Sequence, residues 1–400
     1  MEVYKKLITY ISGLYIISLS LHYWDIKSIR ISEIIFIFVF LLFIYGVYIK
    51  FFILRFTKLD LITSLFFLTN ILLIILKNFS GESILGLLFS LYLYFIYYIF
   101  RNIFEKININ YILNYIFILT IFTSTLGILG WVLYQYNIVN IFANERNYPF
   151  FIGYPVQSAA LYVSPNLLAF SLIIGIIFLL LTKIKHSIKL FFLVVFNIAL
   201  LLTFSKSIVI YLGILFLILS NKMINANIKK MIILLSFAFF IMHSFLTNFF
   251  ILDNTKNYTW LDEKYTHSDS KPIFENFNFK IIPTNYFFLK EKSINLVKNN
   301  FFTGIGYEKF RNINDKYPLL DDQKPHSTYF GVFSEFGILG ILSVITIFFY
   351  NLRISLIKKE YYIYPLIVYL LFEGINTDIL SLKLIWIIFA FNHYFNFKSN

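Results

Sequence analysis

Residues 31–49, ISEIIFIFVFLLFIYGVYI, decide the fold class, because past Glu33 the stretch is apolar on every face. A helix of this length, rising ~1.5 Å per residue, crosses a hydrocarbon layer about 30 Å thick. Similar stretches recur near 7–23, 59–77, 82–100, 110–137, 166–182, 188–204, 207–220, 230–250, 329–350, 361–375 and 379–395. Membrane barrel strands would alternate apolar and polar residues over about ten positions, and these segments do not. The expectation is an all-α polytopic membrane protein with about twelve transmembrane helices.

Composition agrees: hydrophobic residues make up 59% of the chain, Phe and Tyr number 50 and 30, and charged residues reach only 14%, more apolar surface than a soluble domain could hide. Cations cluster in alternate loops, at Lys5 and Lys6, at Lys50, Arg55 and Lys58, at Arg101 and Lys106, at Lys183, Lys185 and Lys189, at Lys222, Lys229 and Lys230, and at Arg353, Lys358 and Lys359. Cytoplasmic loops collect such residues, so both termini are expected in the cytoplasm and the long loop at 251–328 outside. That divides the chain into N-terminal spans at 1–250, the outer loop, and C-terminal spans at 329–400. The net charge of +13 reads as orientation and attraction to anionic membrane lipid, not nucleic-acid binding. Cysteine is absent, so neither disulfides nor thiolate metal sites are expected, and no pair of histidines has zinc-site spacing.

The outer loop is too long for an ordinary connector. Its first half is polar and reads as irregular, whereas NYFFLKEKSINLVKNN from 285 suits an amphipathic helix carrying Phe288, Ile294 and Val297, which could lie along the membrane surface. FFTGIGYEKFRN follows, with a turn or close backbone approach expected at Gly304 and Gly306. His326 stands just before a span, at the water–lipid boundary, and Asp321, Asp322, Ser327 and Tyr329 are near enough in sequence to orient its ring. Lys206, between Ser205 and Ser207 at a short connection between spans, is a candidate site cation, with snorkelling to the interface as the plain alternative. Arg146 is an isolated outward arginine, and Lys280, Lys290 and Arg311 belong to a cationic loop surface suited to a diphosphate.

These residues resemble a known family. His326, Ser327, Thr328 and Tyr329, followed by Glu335, Gly337 and Gly340, are similar to the H-[NS]-x-[YL] and E-x-G-x-x-G signature of the O-antigen ligase and O-antigen polymerase superfamily. SPNLLAFSL with Pro165, Asn166 and Ala169 resembles its P-N-x-x-A segment, SKS at 205–207 its S-R-[SG] step, and FFTGIGYEKF its P-[LF]-x-G-x-G-x-x-x-F segment, with Gly304, Gly306 and Phe310 in register and Phe301 where proline is common. The resemblance implies a metal-independent, cofactor-free glycosyltransferase on the outer face of the bacterial inner membrane. It takes a glycan from an undecaprenyl-diphosphate carrier to a carrier-linked glycan or to lipid A-core, in O-antigen, capsule or other surface polysaccharide assembly. On family analogy, polymerase is slightly favoured over ligase. His326 maps to the family's base and Lys206 to its helix-borne cation. Where many relatives carry an arginine this chain has Tyr286, and Lys290 stands at the usual tryptophan; Lys290 or Lys280 is the candidate to supply the missing charge. The alternative is a transporter or flippase for a lipid-linked glycan, which would show internal repeats that the sequence lacks.

Overall fold

The structure is a computed structural model that describes residues 1–21, 25–26, 29–77, 81–138, 140–145, 156–162, 164–221, 225–253, 272–311, 323–357 and 363–398. Arg146, Asp321, Asp322 and most of the first half of the outer loop lie outside the described residues.

The helices are α1 Glu2–Ser18, α2 Ile31–Tyr48, α3 Lys58–Leu76, α4 Gly81–Lys106, α5 Ile109–Gln135, α6 Pro165–Leu181, α7 His186–Leu202, α8 Ser207–Ser220, α9 Ala226–Asn248, α10 Asn285–Lys298, α11 Thr328–Ile357, α12 Ile363–Glu373 and α13 Lys383–Lys398. Each expected span overlaps one of them. Among the described residues six helices, namely α2, α3, α4, α5, α9 and α11, are long and apolar enough to cross a membrane, while α6, α7, α8 and α12 are apolar but shorter. The chain is a multi-pass membrane protein.

Start signals are local. Thr57 accepts from the Asp60 amide at 3.2 Å and its own amide donates back to Asp60 at 2.8 Å, closing a capping box on α3. Ser164 caps α6 with Pro165 in the first turn, where a missing N–H does no harm.

Lipid removes the usual hydrophobic drive between helices, so close packing and shared hydrogen bonds hold the bundle. Helices α8 and α9 meet at Gly213, whose carbonyl accepts from Ser236 Oγ at 2.6 Å. Helix α6 is buried from Leu168 to Leu179 and forms the centre of the bundle. Beside it, Trp386 of α13 is fully buried, its ring 4.6 Å from that of Phe67 on α3.

The fold is not purely helical. Strands β1 Asp25–Ile26 and β2 Ile29–Arg30 form one hairpin, and β3 Ala143–Glu145 pairs with β4 Val156–Ser158. In the outer loop, β5 Phe249–Asp253 and β6 Phe274–Glu275 both flank β7 Phe279–Pro283, all antiparallel. The sheet takes over the backbone directly after α9, ending the helix at Asn248. The amphipathic helix expected from 285 is α10, but Phe288 and Val297 are buried within the protein, Phe288 with Leu289 and Phe310, and Ile294 is exposed. Part of its apolar face is thus spent on protein contacts.

Candidate functional site

The residues around His326 are tied to the turn between α12 and α13. Ser327 Oγ donates to the Gly374 carbonyl at 3.1 Å, and the Thr328 amide donates to the same oxygen at 2.9 Å. Thr328 Oγ1 donates to Thr377 O at 3.1 Å and accepts from the Ile379 amide at 2.9 Å. Tyr329 donates its hydroxyl to Leu371 O at 2.8 Å. Ser327 and Tyr329 therefore fasten the segment rather than orient the imidazole, which corrects the expectation from sequence. The ring next to His326 is that of Tyr286, 5.1 Å away between centroids and tilted by 51°.

Lys206 is placed by a turn that the sequence makes tight. Phe204 sits at φ 45°, and Gln157 Nε2 from β4 donates to the carbonyls of Thr203 at 3.0 Å and Phe204 at 3.3 Å. Ser205 Oγ donates to Asn166 Oδ1 at 2.7 Å and lies 3.0 Å from the Ser207 hydroxyl, joining the start of α6 to the start of α8. Two of the quoted motifs thus meet in space. The Lys206 ammonium donates to the Leu246 carbonyl near the end of α9 and lies 5.5 Å from the Phe250 ring. It is half-buried against protein rather than reaching out to lipid.

His326 and Lys206 line one notch of about 180 Å³, with Phe250, Thr284, Asn285, Tyr286 and Gln323. The His326 ring keeps exposed surface because the notch is open, while the surrounding protein pulls its pKa below the ordinary histidine value by burial. A neutral imidazole follows at neutral pH, able to accept a proton beside a cation.

The glycines act at a distance from this notch. Helix α11 is interrupted at Gly337, with φ 65° and ψ −158°. The 301–306 segment fills the interruption: the amides of Ile305 and Gly306 donate to Ser334 O and Glu335 O, each at 2.9 Å, and Ile338 N donates to Phe301 O at 2.8 Å. Gly304 has φ 64°, and a Cβ there would stand 2.3 Å from the Glu335 carbonyl carbon. Only glycine permits both the angle and the approach.

The remaining candidates disperse. Lys290, 9% exposed, donates to Asn248 Oδ1 at 2.8 Å and Asn376 Oδ1 at 2.7 Å, and burial lowers its pKa to about 7. Lys280 stands opposite Glu275 in the sheet. Neither lines the notch, so the charge absent at Tyr286 is not restored there by either lysine. Arg311 pairs with Glu308 at 3.7 Å and lines a different cavity, while Glu335 borders a third with Glu308, Lys324 and Asp378. Arg146 lies outside the described residues. Sequence reasoning missed Gln323, Phe250 and Asn376; the first adjoins the histidine segment, and the other two are brought in by folding alone. Among the described residues, no three His, Asp or Glu side chains stand together as a metal site requires.

Residues 190–345 match the family model described as O-antigen ligase, a stretch that includes Lys206, Gly304, His326 and Glu335 and leaves Asn166 outside. The match supports the resemblance to the O-antigen ligase and polymerase superfamily and points to glycan transfer of that type. No curated protein matches the chain.

Proposed function

We propose that the chain is a glycosyltransferase of surface-polysaccharide assembly, working on the outer face of the bacterial inner membrane with both termini in the cytoplasm. The donor is a glycan on undecaprenyl diphosphate and the acceptor a sugar hydroxyl. The observation that carries this reading is the shared notch of His326 and Lys206.

His326 takes the proton of the acceptor hydroxyl as its oxygen attacks the anomeric carbon. The bond from that carbon to the diphosphate oxygen breaks, and the carrier diphosphate leaves with the electron pair. Lys206 offsets the negative charge that grows on the leaving group. Displacement from the opposite face inverts the anomeric centre. Tyr286 walls the imidazole on one side, and the turn at 374–379 holds its backbone, so positioning carries much of the rate. Metal independence follows the family resemblance.

The test is reconstitution of the purified protein with a carrier-linked oligosaccharide and an acceptor. The parent should transfer the glycan, and His326→Ala should be inactive while folding and inserting normally. Transfer by His326→Ala at the parent rate would remove the base and with it this mechanism.

A further inference from the structure

Exposed apolar side chains on the spanning helices meet lipid, but one exposed apolar surface lies beyond those helices. The β5–β7 sheet follows α9 in the outer loop, and its two faces differ. Residues directly opposite each other in paired strands share a face, and successive residues alternate between faces. Phe250, Leu252 and Ile282 therefore lie on one face, which turns inward: Leu252 and Ile282 are buried, and Phe250 lines the notch beside Lys206. Lys280, opposite Glu275, belongs to this face too. The other face carries Ile251, Ile281 and Phe274 in a row across the three strands, flanked by Phe249 and Phe279. Ile251 is 48% exposed and Phe274 49%, and the Phe279 ring lies 5.6 Å from that of Phe274. Asp253, opposite Phe279 at the far end, is the one charged residue of this face among the described residues.

The turn between β6 and β7 adds another ring. Phe277 is 97% exposed at its apex, yet the turn is a built one. Asn276 Oδ1 accepts from the amides of Asn278 at 2.9 Å and Phe279 at 2.8 Å, and the Asn276 amide donates to Phe279 O at 3.0 Å. A phenyl ring is thus held outward, on a face too apolar to be left to water.

Where this face begins tells what covers it. On α9, Met231, Leu234, Ile241 and Phe245 are exposed at helical spacing, along a helix long and apolar enough to cross the membrane, so the stripe meets lipid. The Phe245 ring lies 5.0 Å from that of Phe249, the first residue of β5 and part of the exposed face. The lipid-facing stripe of α9 therefore continues onto the sheet. The outer edges of β5 and β6 carry backbone groups that hydrocarbon would leave unsatisfied, which keeps the sheet at headgroup level, where water reaches the edges and the rings reach the acyl boundary.

We propose that the β5–β7 sheet is a membrane-surface anchor: its apolar face, with Phe274 and Phe277 foremost, lies in the interface of the bilayer that α9 crosses, while the opposite face walls the notch. A single sheet then separates lipid from Lys206. The assignment goes beyond the glycan-transfer reading and does not depend on it.

The chain has no cysteine, so a single introduced one can be labelled and read alone. The variants Phe274→Cys and Phe277→Cys, each carrying a nitroxide in the full-length protein in phosphatidylcholine nanodiscs, report collisions with oxygen, which enters lipid, and with a water-soluble nickel chelate. Ile241→Cys on α9 gives the lipid reference. Both sheet labels should favour oxygen over the chelate, as the reference does. A label at either position that meets the chelate freely would place the face in water and overturn the proposal. So would a label shielded from both reagents, which would mean that protein covers the face. The anchor itself is tested by a label at Ile251→Cys in the double variant Phe274→Glu, Phe277→Glu. Both side chains are exposed, so the melting temperature should not change. Chelate collisions at position 251 should rise ~10-fold as the sheet leaves the interface. A label there that stays in lipid would show that the two rings are not what holds the sheet down. None of these readings involves transfer, so their failure is distinct from a failure of the His326→Ala test.

Discussion

Two histidines on neighbouring helices and turns show how differently one bundle treats a titratable group. His393 on α13 is 1% exposed and lies within 2.9 Å of the Tyr97 hydroxyl and 3.2 Å of Thr57 Oγ1. Tyr97 also donates to Asp60 Oδ1 at 3.1 Å, and Arg101 approaches Asp60 at 3.6 Å and Glu105 at 3.0 Å. The cluster is closed on itself. His326 has an exposed ring, an aromatic neighbour and an open notch, while the polar side chains flanking it in sequence bond to a different turn. Where polar groups hold helices together they satisfy one another, because an unpaired charge in the interior is expensive. At His326 the surroundings are fastened and the group itself is left accessible, as a side chain that meets a substrate would need.

The sharpest way to break this contrast is to remove each centre in turn. His326→Ala should lower transfer by ~10²–10⁴-fold without changing the melting temperature, the range expected for loss of a general base. Arg101→Leu should do the reverse, because Asp60 would remain buried without its cation; the expected cost is about 3–5 kcal/mol, read as a lower unfolding temperature in detergent and less protein in the membrane. If the two variants exchanged phenotypes, the distinction between open and closed clusters would fail. Gly337→Ala comes next. Its Cβ would meet Gly304 N and Phe301 O at 2.6 Å in a backbone conformation that disfavours side chains, so at least ~1–3 kcal/mol of stability and most activity should go together.

Two smaller effects sharpen the account of the notch. Lys206→Ala should slow transfer by about 10–100-fold, the worth of a hydrogen bond to a charged group, and Lys206→Arg should restore most of it. A parent-like Lys206→Ala would leave the lysine a purely structural contact to Leu246. The pH profile gives the finest test. The proposed mechanism needs the neutral imidazole, and desolvation by the surrounding protein lowers its pKa, so activity should hold as the medium is acidified and fall only below ~6.5, the ordinary histidine value. Tyr286→Ala opens the notch to water and should move that acid limb upward; a limb already above ~6.5 in the parent would contradict the lowering of the imidazole pKa by the surrounding protein.

The helical segments were legible because a stretch apolar on all faces has few alternatives in lipid. The site was legible in part. His326 and Lys206 announced themselves as polar groups at the ends of apolar runs. Their common notch was not readable residue by residue, since Phe250 reaches it from a segment whose own pattern says nothing about it. Arg101 misled in a different manner: among other cations at a span end it reads as a solvated orientation signal, yet its guanidinium is enclosed with Asp60 because Asp60 lies in the first turn of the adjoining helix. The β5 to β7 sheet was hidden by short strands in a polar loop, and the break in α11 by apolar periodicity that runs through Gly337 without a pause.

That break has a mechanical consequence. An interrupted helix ordinarily offers a pivot, but here the peptide groups of 301–306 occupy the gap and bond to both halves, so the pivot is locked from outside. The first turns of α11, immediately beyond the imidazole, are thereby fastened to the 301–306 segment on both sides of the break.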